Sequence, residues 1–112
     1  MLSFQKLDVY RRAIEFLALT AEVSAEVQRG NAALLDQLRR AATSIPLNIA
    51  EAAGRTGQAD AARTFAIARG SAMECAAVFD SLLVLQAIEP TTHQRGCEIL
   101  ERVVAMLTKL CR

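Results

Sequence analysis

Phe65, Ala68, Ala72, Cys75, Phe79, Leu82 and Gln86 recur at alternating intervals of three and four residues. A strand turns over every second residue and does not produce that spacing; a helix places all seven on one face. The pattern predicts a helix from about residue 60 to 87, about 40 Å long at ~1.5 Å per residue. A helix of that length needs partners of similar length to cover its apolar stripe, so the rest of the chain is expected to be helical too.

Three further segments meet that need. The first runs from about Lys6 to Gln28 and carries two tracks. Tyr10, Ile14, Leu17, Ala21 and Ser24 form one, and Phe16, Leu19, Val23 and Val27 the other. Ser3 is a plausible N-cap, and Arg29-Gly30-Asn31 reads as the turn that follows. The second runs from about Ala32 to Ala53, with Leu34, Leu38, Ala42, Ile45, Ile49 and Ala52 on one face. Gly54 ends it. The last runs from about Thr92 to Cys111, with Pro90 expected to stop the preceding helix and Thr91 or Thr92 to cap this one. It has one stripe of Cys97, Leu100, Val104, Leu107 and Cys111, and another of Ile99, Val103, Met106 and Leu110. The double stripe fits either a broad core face or a subunit interface. Four helices with short connections predict a single all-α domain over residues 1–112, an antiparallel up-down four-helix bundle. Scarce Gly and Pro argue against a turn-rich all-β fold.

Pro46 stands inside the second segment. It removes an amide hydrogen from the Ala42 carbonyl and crowds it, at a cost of ~3 kcal/mol or more in a helix interior. The apolar register nevertheless passes through Ile45 and Ile49 unbroken, which predicts a kinked but continuous helix. The alternative is two helices joined at Thr43-Ser44, with Ser44 as N-cap and Pro46 in the first turn. Ala41, Ala42, Ala50, Ala52 and Ala53 on this helix, and Gly70, Ser71 and Ala72 on the next, are small enough for close approach. Asn48, Glu51, Ser71 and Glu74 near those surfaces are expected to form a polar network that fixes helix register.

The residues offer little for catalysis. A di-iron bundle requires Glu-x-x-His pairs, and no Glu here has His three residues later. His93, the only histidine, is expected in the last connection or the first turn of the fourth helix. Cys75, Cys97 and Cys111 lack zinc-finger spacing and read as small, reduced core residues, which suits a reducing, cytoplasmic setting. Gly54 and Gly57 lack the Lys-Ser/Thr end of a phosphate loop. No catalytic residue, metal or cofactor is expected, and Glu51 and Glu74 are expected to pair with arginines. The longest apolar run, 81–88, is far too short to span a membrane. A net charge of +1 is small for a dedicated nucleic-acid domain. Arg39, Arg40, Arg55, Arg63 and Arg69 nonetheless fall on the second and third helices and the turn between them, where guanidinium forks suit phosphate.

QLRRAATSIPLNIAEAAGR at 37–55 resembles the signature of the small four-helix bundle proteins encoded in intervening sequences of bacterial 23S ribosomal RNA genes. ARTFAIARGSAMECAAVFD at 62–80 is similar to the second block of that family, and FQKLDVYRRA at 4–13 to its start. Ala52, Ala53 and Cys75 depart from the residues most common there. The resemblance implies a ring, typically a homopentamer, with no established enzymatic activity. A more distant branch, the accessory variability determinant of diversity-generating retroelements, is strongly basic and binds nucleic acid, an excess this chain lacks. The expectation is a cytoplasmic, non-enzymatic, self-assembling scaffold or interaction module, with a protein partner open. The alternative is low-specificity nucleic-acid or ribosome-associated binding through the five arginines.

Overall fold

A computed structural model describes residues 1–27 and 30–112. A short 3-10 turn, Ser3–Lys6, precedes four helices: α1 Asp8–Glu26, α2 Ala32–Ala53, α3 Gln58–Val84 and α4 Pro90–Leu110. Each helix packs on its neighbours in sequence, and α4 closes the ring against α1. Successive helices are therefore antiparallel and the topology is up-down, as the short connections predict. The bundle measures 44 × 26 × 21 Å, its long axis set by α3.

The boundaries follow local chemistry. Ser3 lies inside the 3-10 turn and does not cap α1; Leu7 occupies that position, and Asp8 places a carboxylate at the positive end of the helix. The expected end of the first helix at Gln28, and Arg29 of the expected turn, lie outside the described residues. Gly30 adopts φ +106°, a conformation open to glycine without strain. Helix α3 stops three residues before its expected end and without help from Pro90. Gln86 turns left-handed at φ +58°. The Ala87 amide then donates to the Leu82 carbonyl at 2.8 Å and the Gln86 amide to Leu83 at 2.9 Å. This is a Schellman closure, and it satisfies carbonyls that the helix end leaves free. Pro90 instead opens α4 at its first helical position, with Glu89 at the N-cap. Its missing amide would have been unpaired there in any case. Thr91 and Thr92 sit within the first turn and cap nothing.

α2 is continuous through Pro46, so the two-helix alternative with Ser44 as N-cap does not hold. Pro46 is buried along with Leu38, Ala41, Ala42, Ile45, Ile49 and Ala52. Burial of the ring offsets part of the lost hydrogen bond. On α3 the small residues Ala68 and Ala72 are fully buried. Gly70 is on the other side, exposed, where an added Cβ would meet nothing within 4 Å.

The core takes one track from α1: Val9, Ala13, Phe16, Leu19 and Val23. Of the other expected track, Tyr10 and Leu17 are half-buried, and Ile14, Ala21 and Ser24 face solvent. α4 buries Gly96, Ile99, Leu100, Val103 and Leu107, drawing on both of its stripes. The remainder, Cys97, Val104 and Cys111 on one side and Met106 and Leu110 on the other, flank that face. Phe79 is fully buried, its ring centroid 5.2 Å from that of Phe16. Gly96 packs against it so closely that a Cβ there would come within 2.6 Å of Phe79 Cδ2 and closer still to Cε2.

Gly96→Ala is therefore expected to lower stability by ~1–3 kcal/mol despite the better helix propensity of alanine. The penalty should shrink in a Phe79→Leu background, a coupling that a urea-denaturation double-mutant cycle measures.

Candidate functional site

The polar residues expected to form one network divide into three groups. Ser44, which the sequence reading offered only as a possible N-cap, is the hub of the first. Its Oγ lies 2.9 Å from Ser71 Oγ across the α2–α3 seam, and the Asn48 amide donates to that same Oγ at 2.9 Å and to the Ser44 carbonyl at 2.8 Å. Glu74 belongs to a second group, accepting from Gln37 Nε2 at 3.1 Å. Glu51 lies at the turn, accepting from Arg55 at 2.6 Å. Glu51 and Glu74 therefore belong to separate groups with different donors, and Glu74 pairs with a glutamine where an arginine was expected. Only the Ser44–Ser71–Asn48 group is half-buried, where an unmet polar atom is costly and register is held.

Four of the five arginines meet carboxylates within about one helical turn of themselves. Arg39 and Arg40 share Asp36, at 2.6 and 2.8 Å. Hydrogen bonding from Arg39, with the charge of Arg40 beside it, holds the Asp36 carboxyl below its usual range. Arg55 reaches Glu51 at 2.6 Å and Asp60 at 3.8 Å, and Arg63 reaches Asp60 at 3.2 Å. Arg69 donates to Thr108 Oγ1 at 2.8 Å, tying α3 to the last turns of α4. Exposed pairs of this kind add little stability and exchange readily with other anions.

The outer face of α3 is unusually bare of charge. From Ala66 to Ala77 its exposed residues are Ala66, Ile67, Gly70, Met73, Glu74 and Ala77. Ile67 is 53% exposed and Met73 45%, and Leu47 on α2 is 63% exposed. A helix apolar on both sides is characteristic of one buried on both sides.

A fourth cluster was not legible from spacing. His93 Nε2 lies 2.8 Å from Asp80 Oδ1 and 3.5 Å from Cys97 Sγ. His93 is in the first turn of α4, as expected, but its side chain is only 21% exposed. It rests in the α3–α4 seam and is not a solvated turn residue. Cys97, one turn further on, is half-buried at the seam and not in the core. Only Cys75 is fully buried. The signal available in the sequence was the i, i+4 pair His93 and Cys97. The missing part, Asp80, is on another helix, and no linear motif reports it.

The thiols differ in chemistry accordingly. Burial, with the Glu74 charge adding to it, pushes the Cys75 thiol up from near 9 to about 12. Burial and then the charges of Asp80 and Glu101 push Cys97 up as well.

Residues 5–109 match the family described as 23S rRNA-intervening sequence protein. The chain belongs to that family. Among solved structures, it is similar to a protein of unknown function from the S23 ribosomal protein family of Bacteroides thetaiotaomicron, with a TM-score of 0.85 at 20% identity. The likeness covers 93% of this chain and 98% of that one. At that identity it shows a shared fold, the four-helix bundle, over essentially the whole family match. A comparison with curated proteins finds no match. No helix among the described residues is long and apolar enough to cross a membrane.

Because the thiolate is the reactive species, iodoacetamide at pH 8 is expected to leave Cys75 unmodified in the native protein. Mass mapping of the modified peptides reads this directly. The raised Cys75 thiol carries a stability consequence with a definite sign. Below pH 9 both states hold the proton. As pH climbs from 9 towards 12 the unfolded chain loses it first, so stability falls across that window. Cys75→Ala should flatten the alkaline limb of a stability–pH curve.

Proposed function

We propose that this chain is a non-enzymatic, self-assembling four-helix bundle that serves as a scaffold or interaction module. The observation that carries the reading is the outer face of α3, where Ile67 and Met73 stand exposed among small residues with one carboxylate between Ala66 and Ala77. Copies of the same chain are the occupant this face suits. Its small residues Ala66, Gly70 and Ala77 leave room for close helix approach, and it carries almost no charge to desolvate. The family resemblance implies a ring of five. In such a ring the paired surface charges of α2 and of the α2–α3 turn would remain at the rim, and the assembled surface would offer repeated docking sites to a protein partner. A setting in the cytoplasm accords with three cysteines left unpaired.

A second reading, low-specificity nucleic-acid or ribosome-associated binding, draws support from one feature. Arg39 and Arg40 share a single carboxylate, so one guanidinium charge there is uncompensated in every copy. The accessory variability determinant lends it no weight, because this chain lacks that branch's basic excess. The other pairs weigh against it, since Arg55 and Arg63 are matched by Glu51 and Asp60.

In sedimentation equilibrium at micromolar concentration the protein should show the mass of five 12.1 kDa chains. Ile67→Glu should shift it towards the single-chain mass while retaining helicity. A wild-type protein found only as a 12.1 kDa monomer would refute the scaffold reading. Any retention on RNA should fall steeply with salt and be lost in Arg39→Gln/Arg40→Gln. RNA retention by wild type that this double variant keeps would refute the second reading.

A further inference from the structure

The geometry points to a zinc-class transition-metal site at the α3–α4 seam, formed by Asp80 Oδ, His93 Nε2 and Cys97 Sγ. The three donor atoms lie within 4.8 Å of one another. They are of three chemical types, and the mixture of carboxylate, imidazole and thiolate is one that zinc accepts. Two of their separations compare with those a tetrahedral ion imposes. With bonds of about 2.3 Å to sulfur and about 2.0–2.2 Å to nitrogen and oxygen, sulfur and nitrogen stand about 3.5 Å apart, and nitrogen and oxygen about 3.3 Å. The Sγ–Nε2 distance is already 3.5 Å. The Nε2–Oδ1 distance of 2.8 Å is that of a hydrogen bond and has to open by roughly 0.5 Å on this estimate. Asp80, whose side chain is 69% exposed, has the freedom to make that movement.

Two features distinguish the cluster from a plain interhelical hydrogen bond. First, the thiol lies beside the ring whose Nε2 meets the carboxylate, 3.5 Å from Nε2 and 3.9 Å from Nδ1, so a turn of the imidazole is what aims Nε2 at a point shared with Sγ and Oδ1. A carboxylate alone would satisfy that nitrogen. Second, the frame is held in place from below. Gly96 lies against the Phe79 ring, and Asp80 and Cys97 are the next residues on their respective helices. That contact sets the separation of α3 and α4 beside the cluster, while the exposed Asp80 carboxylate keeps the freedom to adjust.

Binding balances simply. The Cys97 thiol gives up its proton to solvent and ligates as thiolate, and the neutral imidazole ligates in the tautomer that carries its proton on Nδ1, leaving Nε2 free for the ion. One proton is released per ion, and the three protein ligands leave the fourth tetrahedral position to water. The open groove beside the cluster, lined by Met73, Ala76, Leu100 and Glu101, gives the ion and that water a way in. The bound ion joins the C-terminal part of α3 to the first turns of α4, across the connection at 85–89.

The test is titration of reduced, metal-free full-length protein with Co2+, followed by displacement with Zn2+. One Co2+ per chain is expected, with a thiolate-to-cobalt charge-transfer band. Cys97→Ser should abolish the band and Cys111→Ser should leave it, while Asp80→Asn and His93→Gln each weaken binding at least tenfold. Absence of the band from wild type, or its survival in Cys97→Ser, would overturn the proposal. A second measurement needs no variant. Zn2+ should slow alkylation of Cys97 at least tenfold and leave Cys111 unchanged; an unchanged rate at Cys97 would equally overturn it.

Discussion

The contact between Gly96 and the ring of Phe79 is the constraint on which most of the structure depends. Phe79 is at the centre of the bundle, with Phe16 of α1 on one side and the backbone of α4 on the other. Interiors are packed to crystal-like density, so a ring of that size is accommodated only if something opposite it is small. Glycine supplies the space. The cost of glycine inside a helix, about 1 kcal/mol relative to alanine, is offset by the burial of a whole aromatic ring. α4 is thereby drawn onto α3 over its first turns, and the residues flanking the contact are brought together as a result. Core packing and the polar cluster at the seam are two outcomes of the same close approach.

The surface is organised differently on its two sides. On α2 and the α2–α3 turn, charges are paired locally and all but one is matched: Arg39 and Arg40 share Asp36, Glu51 pairs with Arg55, and Asp60 with Arg63. Such short-range pairing leaves little long-range field, in keeping with a net charge of +1. The outer face of α3 carries almost no charge at all. A lone bundle gains nothing by exposing Ile67 and Met73 there, whereas an assembly gains by covering them. Between these regions the half-buried Ser44–Ser71 hydroxyl contact, with Asn48 holding Ser44 from within α2, favours one register of α2 against α3, because sliding either helix would break it.

Pattern and local chemistry were legible in the sequence to different degrees. α2 runs from Ala32 to Ala53, as its periodicity indicates, because an unbroken apolar register is a stronger signal than one proline. The end of α3 was misplaced because Pro90 looks like a stop, whereas the chain stops earlier by turning Gln86 left-handed, a choice that no residue type there advertises. The core track of α1 was ambiguous for a related reason. Two tracks of similar hydrophobicity run along it, and only the partner helices select between them. The cysteines were read as alike, yet Cys75 is buried and Cys97 lies at a seam, one helical position outside the core face.

The sequence by itself determined the helices, their order and the up-down bundle, since apolar periodicity and connection length are properties of consecutive residues. It favoured a proline carried within one helix and left the two-helix alternative for the tertiary structure to decide. Tertiary structure alone decided which polar residues meet. Asp80 and His93, Ser44 and Ser71, Gln37 and Glu74, and Arg69 and Thr108 are paired across helices. Their meeting depends on the axial offset and rotation of one helix against another, and those are set by how rings such as Phe79 find space opposite residues such as Gly96.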